Sequence, residues 1–160
     1  MPLYWYPHYT VTMVLAVADG IPYEVKDWKD LTVYPLTVGI PVDTVTRDLS
    51  MMSFSYGLSG EMDLSAGVEA LKKIHQEGRL RLDARYAPGY YLQISRREEA
   101  DVYIVPDVEA RRWVWEGRPF HLVYPERGTL SFKKGLLSKE PLVIDEKHMA
   151  SGLWVKGYAL

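Results

Sequence analysis

The chain has 160 residues, 48% of them hydrophobic and 25% charged, which suits one compact domain with a core of its own. Its 19 basic and 21 acidic side chains nearly balance, which argues against a nucleic-acid face that neutralises phosphates and against a cationic membrane-surface helix. With no cysteine, disulfide frameworks, thiolate nucleophiles and zinc ribbons are excluded.

The first residues, Met1-Pro2-Leu3-Tyr4-Trp5-Tyr6-Pro7-His8, lack a basic stretch followed by an apolar core and do not read as a signal peptide. Apolar runs such as Val14 to Ala18 are far too short to cross a bilayer, so a soluble chain is expected and its compartment stays open. Tyrosine and tryptophan, 12 and 5 against 3 phenylalanines, favour clefts and interfaces because each ring carries a polar tip.

In chain order, Tyr9 to Ala18 is rich in β-branched residues and closes at Asp19-Gly20, so a long strand is expected. A second strand is expected over Val33 to Ile40, or from Leu36 if Pro35 breaks its start, ending before Pro41. Val45, Leu49, Met52 and Tyr56 then recur at helical spacing, predicting a helix that opens near Asp43 or Thr44 and stops at Gly57 and Gly60. A further helix is expected from Asp63 to Glu77, with Ala66, Ala70, Leu71 and Ile74 inward, a Glu69–Lys73 pair outside and Gly78 as its cap.

Pro88 suits the start of a helix over Gly89 to Glu99. Asp101 to Val105 reads as a buried central strand, and Asp107 as the cap of a helix from Val108 to Glu116, closed by Gly117. Strands are expected at Phe120 to Tyr124 and Leu142 to Ile144, with an irregular tail over 133–160. The alternation predicts an α/β three-layer sandwich, 1–160 as a single domain, whose mixed sheet of about five strands is covered by about four helices.

No catalytic constellation is found. Gly57-Leu58-Ser59-Gly60 is one residue short of a nucleophile elbow, and His8, His75, His121 and His148 show no metal-ligand spacing. His75 suits a helix end, and Glu98, Glu99 and Asp101 suit a solvated one. Without a Walker loop or dinucleotide fingerprint, no cofactor and no metal is expected, and the chain is not expected to be an enzyme.

The strand-to-helix junction Asp43-Thr44-Val45-Thr46-Arg47 is the most promising feature. Freed backbone N–H groups there face outward at the positive end of a helix dipole, Thr44 and Thr46 add hydroxyls, and Arg47 adds a fork suited to carboxylate or phosphate. An ordinary N-cap beside a surface arginine gives the same pattern.

Several pieces in sequence resemble the second lobe of type 2 periplasmic solute-binding proteins, the substrate-binding proteins of ABC transporters. They are Tyr9-Thr10, Trp28-Lys29-Asp30-Leu31, Val38-Gly39-Ile40-Pro41, the helix Ala66 to Gly78, Glu98-Glu99-Ala100-Asp101-Val102, Glu116-Gly117-Arg118-Pro119 and Val123-Tyr124-Pro125-Glu126-Arg127-Gly128-Thr129. The match covers about residues 4 to 132.

The resemblance implies a periplasmic-binding-protein-like lobe that holds a small polar or anionic solute without chemistry. Its cleft would be lined by Tyr9, Thr10 and Thr12, by Thr44, Thr46 and Arg47, by Asp107, and by Tyr124 and Glu126. It further implies an extracytoplasmic family and an ABC permease as partner, with no nucleic acid. The first lobe of such proteins has no counterpart in this sequence, so either the chain is a fragment, or a partner supplies the missing wall, or the lobe has another role; edges and apolar surface left exposed there predict a homo-oligomer. Two other readings stay open: a ligand-sensing regulatory module of the same fold, and an enzyme whose site draws on Arg47, Asp107 and Glu126.

Overall fold

The computed structural model describes residues 3–41, 44–83 and 100–142. Its elements run β1 (Tyr4–Ala18), α1 (Asp30–Val33), β2 (Val38–Pro41), α2 (Thr44–Ser59), α3 (Ser65–Gln76), β3 (Leu80–Asp83), β4 (Val102–Pro106), α4 (Asp107–Trp115), β5 (Phe120–Val123) and β6 (Ser131–Ser138). Two compact units form. The larger, Val11–Ser131, carries the helices and most of the sheet; the smaller is built from the chain's two ends, up to Thr10 and from Phe132 on.

The strand order is β3-β2-β4-β1-β5, with β6 also pairing with β1. β2 is parallel to β3 and β4, with Val38 opposite both Leu80 and Val102. β1 is antiparallel to β4 and β5, with Leu15 opposite Ile104 and Val123. Strands β2 to β5 therefore all point one way and β1 runs against them. This is the mixed α/β sheet that the alternating segments foretold.

From Val11 to Val17 both faces of β1 are largely covered. Val11, Met13, Leu15 and Val17 on one side and Val14 and Ala16 on the other are all buried, as period-two alternation in a central strand requires. α4 lies on the Val14 face, where Tyr103, Trp113 and Phe120 form the core with Val105 and Ala110.

Several expectations need correction. β2 begins at Val38, not Val33, because the preceding stretch is pinned by side chains. The Asp30 carboxylate accepts from the amides of Lys26 (2.8 Å) and Asp27 (3.0 Å), winding the short α1. The buried Arg79 guanidinium then takes the carbonyls of Leu31, Tyr34 and Leu36, which satisfies them without a strand partner.

The inward face of α2 is also not the one its apolar spacing suggests. Val45 is 70% exposed, and Leu49, Met52 and Tyr56 are only half-buried. Ser50, Ser53, Phe54 and Ser55 are buried instead. Two of the three serines find backbone partners there: Ser50 Oγ donates to Thr46 O, and Ser55 Oγ accepts from the Gly67 amide at 3.0 Å, while the Ser53 hydroxyl is buried without one. Gly57 does not end the helix. It lies inside α2, where a Cβ would fall 1.8 Å from Trp28 Cδ1; Gly60, at φ +75°, is the stop.

α3 keeps its expected face, with Leu71 and Ile74 buried and Gly78 at φ +73° closing it. Its start is fixed by Asp63, whose carboxylate accepts from the Ser65 amide and hydroxyl and is thereby held below the usual range. Glu69 pairs with Lys72 at 3.8 Å rather than with Lys73.

Two strands escaped the sequence patterns. β3 forms the sheet edge beside β2. β6 occupies part of the stretch expected as an irregular tail, and β1 starts at Tyr4 rather than Tyr9. In the unit of chain ends, β6 approaches β1 so closely that a Cβ on Gly135 would fall 2.0 Å from Tyr6 O. The helix expected over Gly89 to Glu99 lies outside the described residues, as does the strand at Leu142 to Ile144 save for Leu142, which is irregular.

Candidate functional site

The sheet topology defines an edge. Because β2, β3, β4 and β5 are parallel, their C-terminal ends emerge together, and β1 enters the sheet between two of them. β3 lies on one side of β2, and β5 lies beyond β4 in the other direction. Right-handed crossovers then carry α2–α3 and α4 to opposite faces. The chain therefore parts after the adjacent ends of β2 and β4, which is where ligands lodge in open α/β sheets. α2 opens at Thr44 just beyond β2, and α4 at Asp107 directly after β4.

On the α4 side the structure gathers Thr12, Asp107 and Tyr124. Asp107 is buried, and its Oδ1 accepts from the backbone amides of Thr12 (3.2 Å) and Val108 (3.0 Å). Its Oδ2 faces the Tyr124 hydroxyl at a long 3.5 Å and Arg111 Nη2 at 3.6 Å. Arg111 donates to Tyr124 Oη at 2.7 Å, and that bond, with the Asp107 charge, raises its pKa further above the ordinary range. The Thr12 hydroxyl meets that of Ser131 at 2.8 Å. Arg111 and Ser131 were not foreseen. For Arg111 a signal existed, since it stands four residues after Asp107, on the same face of a helix.

On the α2 side, the first turn carries no acidic residue, whereas Asp107 and Glu109 stand in the first turn of α4. Thr46 and Arg47 are half-exposed, and Arg47 has only a loose 3.7 Å ion pair with Asp48. The side chain of Thr44, like residue Asp43, lies outside the described residues. The turn is open to water at Val45.

The other expected site residues are Glu126, Tyr9 and Thr10. The Glu126 amide donates to Lys26 O at 3.2 Å, and its carboxylate joins Glu24, the main influence, in raising the Lys26 pKa. The turn it occupies is tied down where Trp28 Nε1 donates to Gly128 O at 2.8 Å. Tyr9 and Thr10 belong to the unit of chain ends.

A cavity of about 390 Å³ opens at the opposite edge of the sheet, lined by Asp19, Ile21, Ala100, Asp101, Pro119 and Phe120 among others. None of the expected site residues lines it. Among the described residues, no group of three His, Asp or Glu side chains is arranged to hold a metal ion, and no helix is long and apolar enough to cross a membrane.

No protein-family model and no curated protein sequence matches the chain. Solved structures do. The sulfate-binding protein SubI from Mycobacterium tuberculosis H37Rv superposes with a TM-score of 0.61 at 20% identity, over 96% of this chain and 50% of that one. The spermidine/putrescine ABC transporter substrate-binding protein PotD from Streptococcus pneumoniae gives 0.58 at 12%, over 84% and 42%. A two-component system protein of signal transduction gives 0.58 at 16%, over 98% and 51%. The chain thus spans about half the length of these structures. Its fold is a single periplasmic-binding-protein-like lobe, resembling those of ABC transporter substrate-binding proteins.

Proposed function

We propose that this chain is a solute-gripping lobe that holds a small polar or anionic molecule without chemically changing it. One observation carries the reading. Two adjacent parallel strands send their helices to opposite faces, and at their parting lie the first turn of α2 with Arg47 and the Thr12–Asp107–Tyr124–Arg111 cluster. Hydroxyls, amides and guanidinium groups in that arrangement bind by hydrogen bonds and charge.

A lobe that buries a solute on one side leaves much of its hydration in place, so tight binding needs a second wall. A further segment of the protein, a partner or a second copy would provide it. In a transport setting the lobe would deliver its solute to an ABC permease outside the cytoplasm. The likeness to a two-component system protein supports a second reading, a sensing module in which the same grip reports the solute to a signalling partner.

Titration calorimetry of the full chain with sulfate, phosphate, amino acids, polyamines and sugars tests the binding itself. Saturable heat with one class, unaccompanied by turnover, is expected. Substrate conversion abolished by Glu126→Ala would replace this reading with an enzymatic one.

A further inference from the structure

We infer that Arg111 and Tyr124 form an oxyanion-holding arm of the crevice, and that Asp107 is the brace that aims them rather than a group that touches the solute. This rests on the solute-binding reading above and narrows it to one ligand chemistry: a sulfate, phosphate or carboxylate group on a small molecule.

The Asp107 carboxylate is committed. An ionised carboxylate offers about four acceptor directions. Here they face the Thr12 amide, the Val108 amide, the Tyr124 hydroxyl and Arg111, which come from β1, α4 and the end of β5. With its side chain only 9% exposed, Asp107 also lies against the positive end of α4 and compensates it internally. A cationic solute would have to strip several of these donors away before gaining the charge.

Arg111 is built the other way. Its side chain is 64% exposed, and its one short bond is that to Tyr124 Oη at 2.7 Å. A guanidinium carries about five N–H donors in a planar fork, so most of its donors remain for a planar or tetrahedral oxyanion. Because Tyr124 Oη accepts from Arg111 and turns its own proton toward Asp107, the ring, itself 47% exposed, sets the angle of the fork.

A second guanidinium stands at this edge. Arg47 is 41% exposed with Asp48 only loosely beside it at 3.7 Å, and the first turn of α2 adds no acid. The Glu126 carboxylate acts on Lys26 instead. Among the described residues the edge thus sets two partly exposed guanidinium groups, Arg111 and Arg47, toward water, while the Asp107 carboxylate is buried.

The test is an NMR titration of the full chain with sodium sulfate, inorganic phosphate and spermidine, for the wild type and for Arg111→Ala, Arg111→Lys and Tyr124→Phe. Sulfate or phosphate is expected to shift the amides of Thr12 and Val108. Arg111→Ala should weaken that binding about tenfold, the effect of one charge-assisted hydrogen bond at a half-exposed site. Arg111→Lys should fall between the two, and Tyr124→Phe should cost less. Thermal unfolding should be unchanged in both arginine variants, which separates loss of binding from loss of fold. Oxyanion binding that survives Arg111→Ala in full would overturn the inference and leave the solute-binding reading standing. Saturation by spermidine with no response to either anion would do the same. If none of the three probes binds the wild type, the inference falls, and the solute-binding reading falls with it only if amino acids and sugars also fail to bind.

Discussion

On the α4 face of the sheet, Trp113, Tyr103 and Phe120 meet with ring centroids 5.2 to 5.7 Å apart, and volume holds the helix in place. On the α2 side small residues stand at the close approaches around Phe54: Ser50 reaches Ile104 O of β4, Gly57 lies against Trp28, and Gly67 of α3 is set so close that a Cβ would fall 2.7 Å from that of Ser55. One helix is fixed by what fills the space and the other by what has been left out of it. Each solution positions one helix start of the crevice, so the two sides should fail in opposite ways: the α4 side when atoms are removed, the α2 side when they are added.

The largest effect is expected from Trp113→Ala, which empties the centre of the ring cluster. A cost of about 4 kcal/mol is expected, as for other buried aromatic truncations. Urea unfolding followed by far-UV circular dichroism measures it; a loss near that of a surface substitution would mean that the rings do not carry the α4 face. Gly57→Ala is the opposite perturbation. The added methyl meets Trp28, whose indole is held by its bond to Gly128 O and by Phe54 with centroids 5.8 Å apart. Overpacking of about 1–3 kcal/mol should exceed the gain of about 1 kcal/mol in helix propensity. A net cost of about 2 kcal/mol or less is expected; a more stable variant would show that the indole moves aside freely, and the contrast between the two faces would lose its α2 half.

The same contrast explains what could be read in the sequence. The α4 side announces itself, because an apolar run, an aspartate and an aromatic helix obey ordinary patterns. β4 and α4 accordingly lie close to their expected bounds, and Asp107 stands at the helix start as foreseen, at Asp107 rather than Val108. The α2 side does not, since apolar periodicity assumes that large side chains point inward. Where close approach needs small ones, the period marks the wrong face, and Val45 ends up in water. β3, Leu80-Arg81-Leu82-Asp83, alternates but over four residues only, too few to mark a strand, and β6 carries Lys133, Lys134 and Gly135 in succession. Of the cluster, Thr12, Asp107 and Tyr124 were implied by the family resemblance, while Arg111 emerges only when helix geometry is applied after Asp107. The contacts that hold the Glu126 turn were not legible, because they join residues about 100 apart in the chain, as in the Trp28–Gly128 bond.

A smaller test sharpens the contrast in electrostatic terms. The α2 face buries neutral hydroxyls, whereas α4 carries a half-buried acid, Glu109, within a run of ion pairs. Arg112 Nη2 meets Glu109, and Arg112 Nε lies 3.8 Å and Arg118 Nε 3.0 Å from the Glu116 carboxylate. Burial raises the Glu109 pKa above its ordinary 4.5; Arg112 opposes the rise, and Glu116 adds to it. With the folded value above the unfolded one, the folded protein holds this proton more tightly. The contribution to stability is then complete below pH 4.5 and is lost as pH rises through the folded value. Glu109→Gln removes that loss. The difference in melting temperature between variant and wild type should therefore move in favour of the variant as the pH is raised from the acid side toward neutrality. A difference that stays flat, or moves against the variant, would mean that the Arg112 ion pair outweighs desolvation. The α4 face would then be held by charge as much as by its rings.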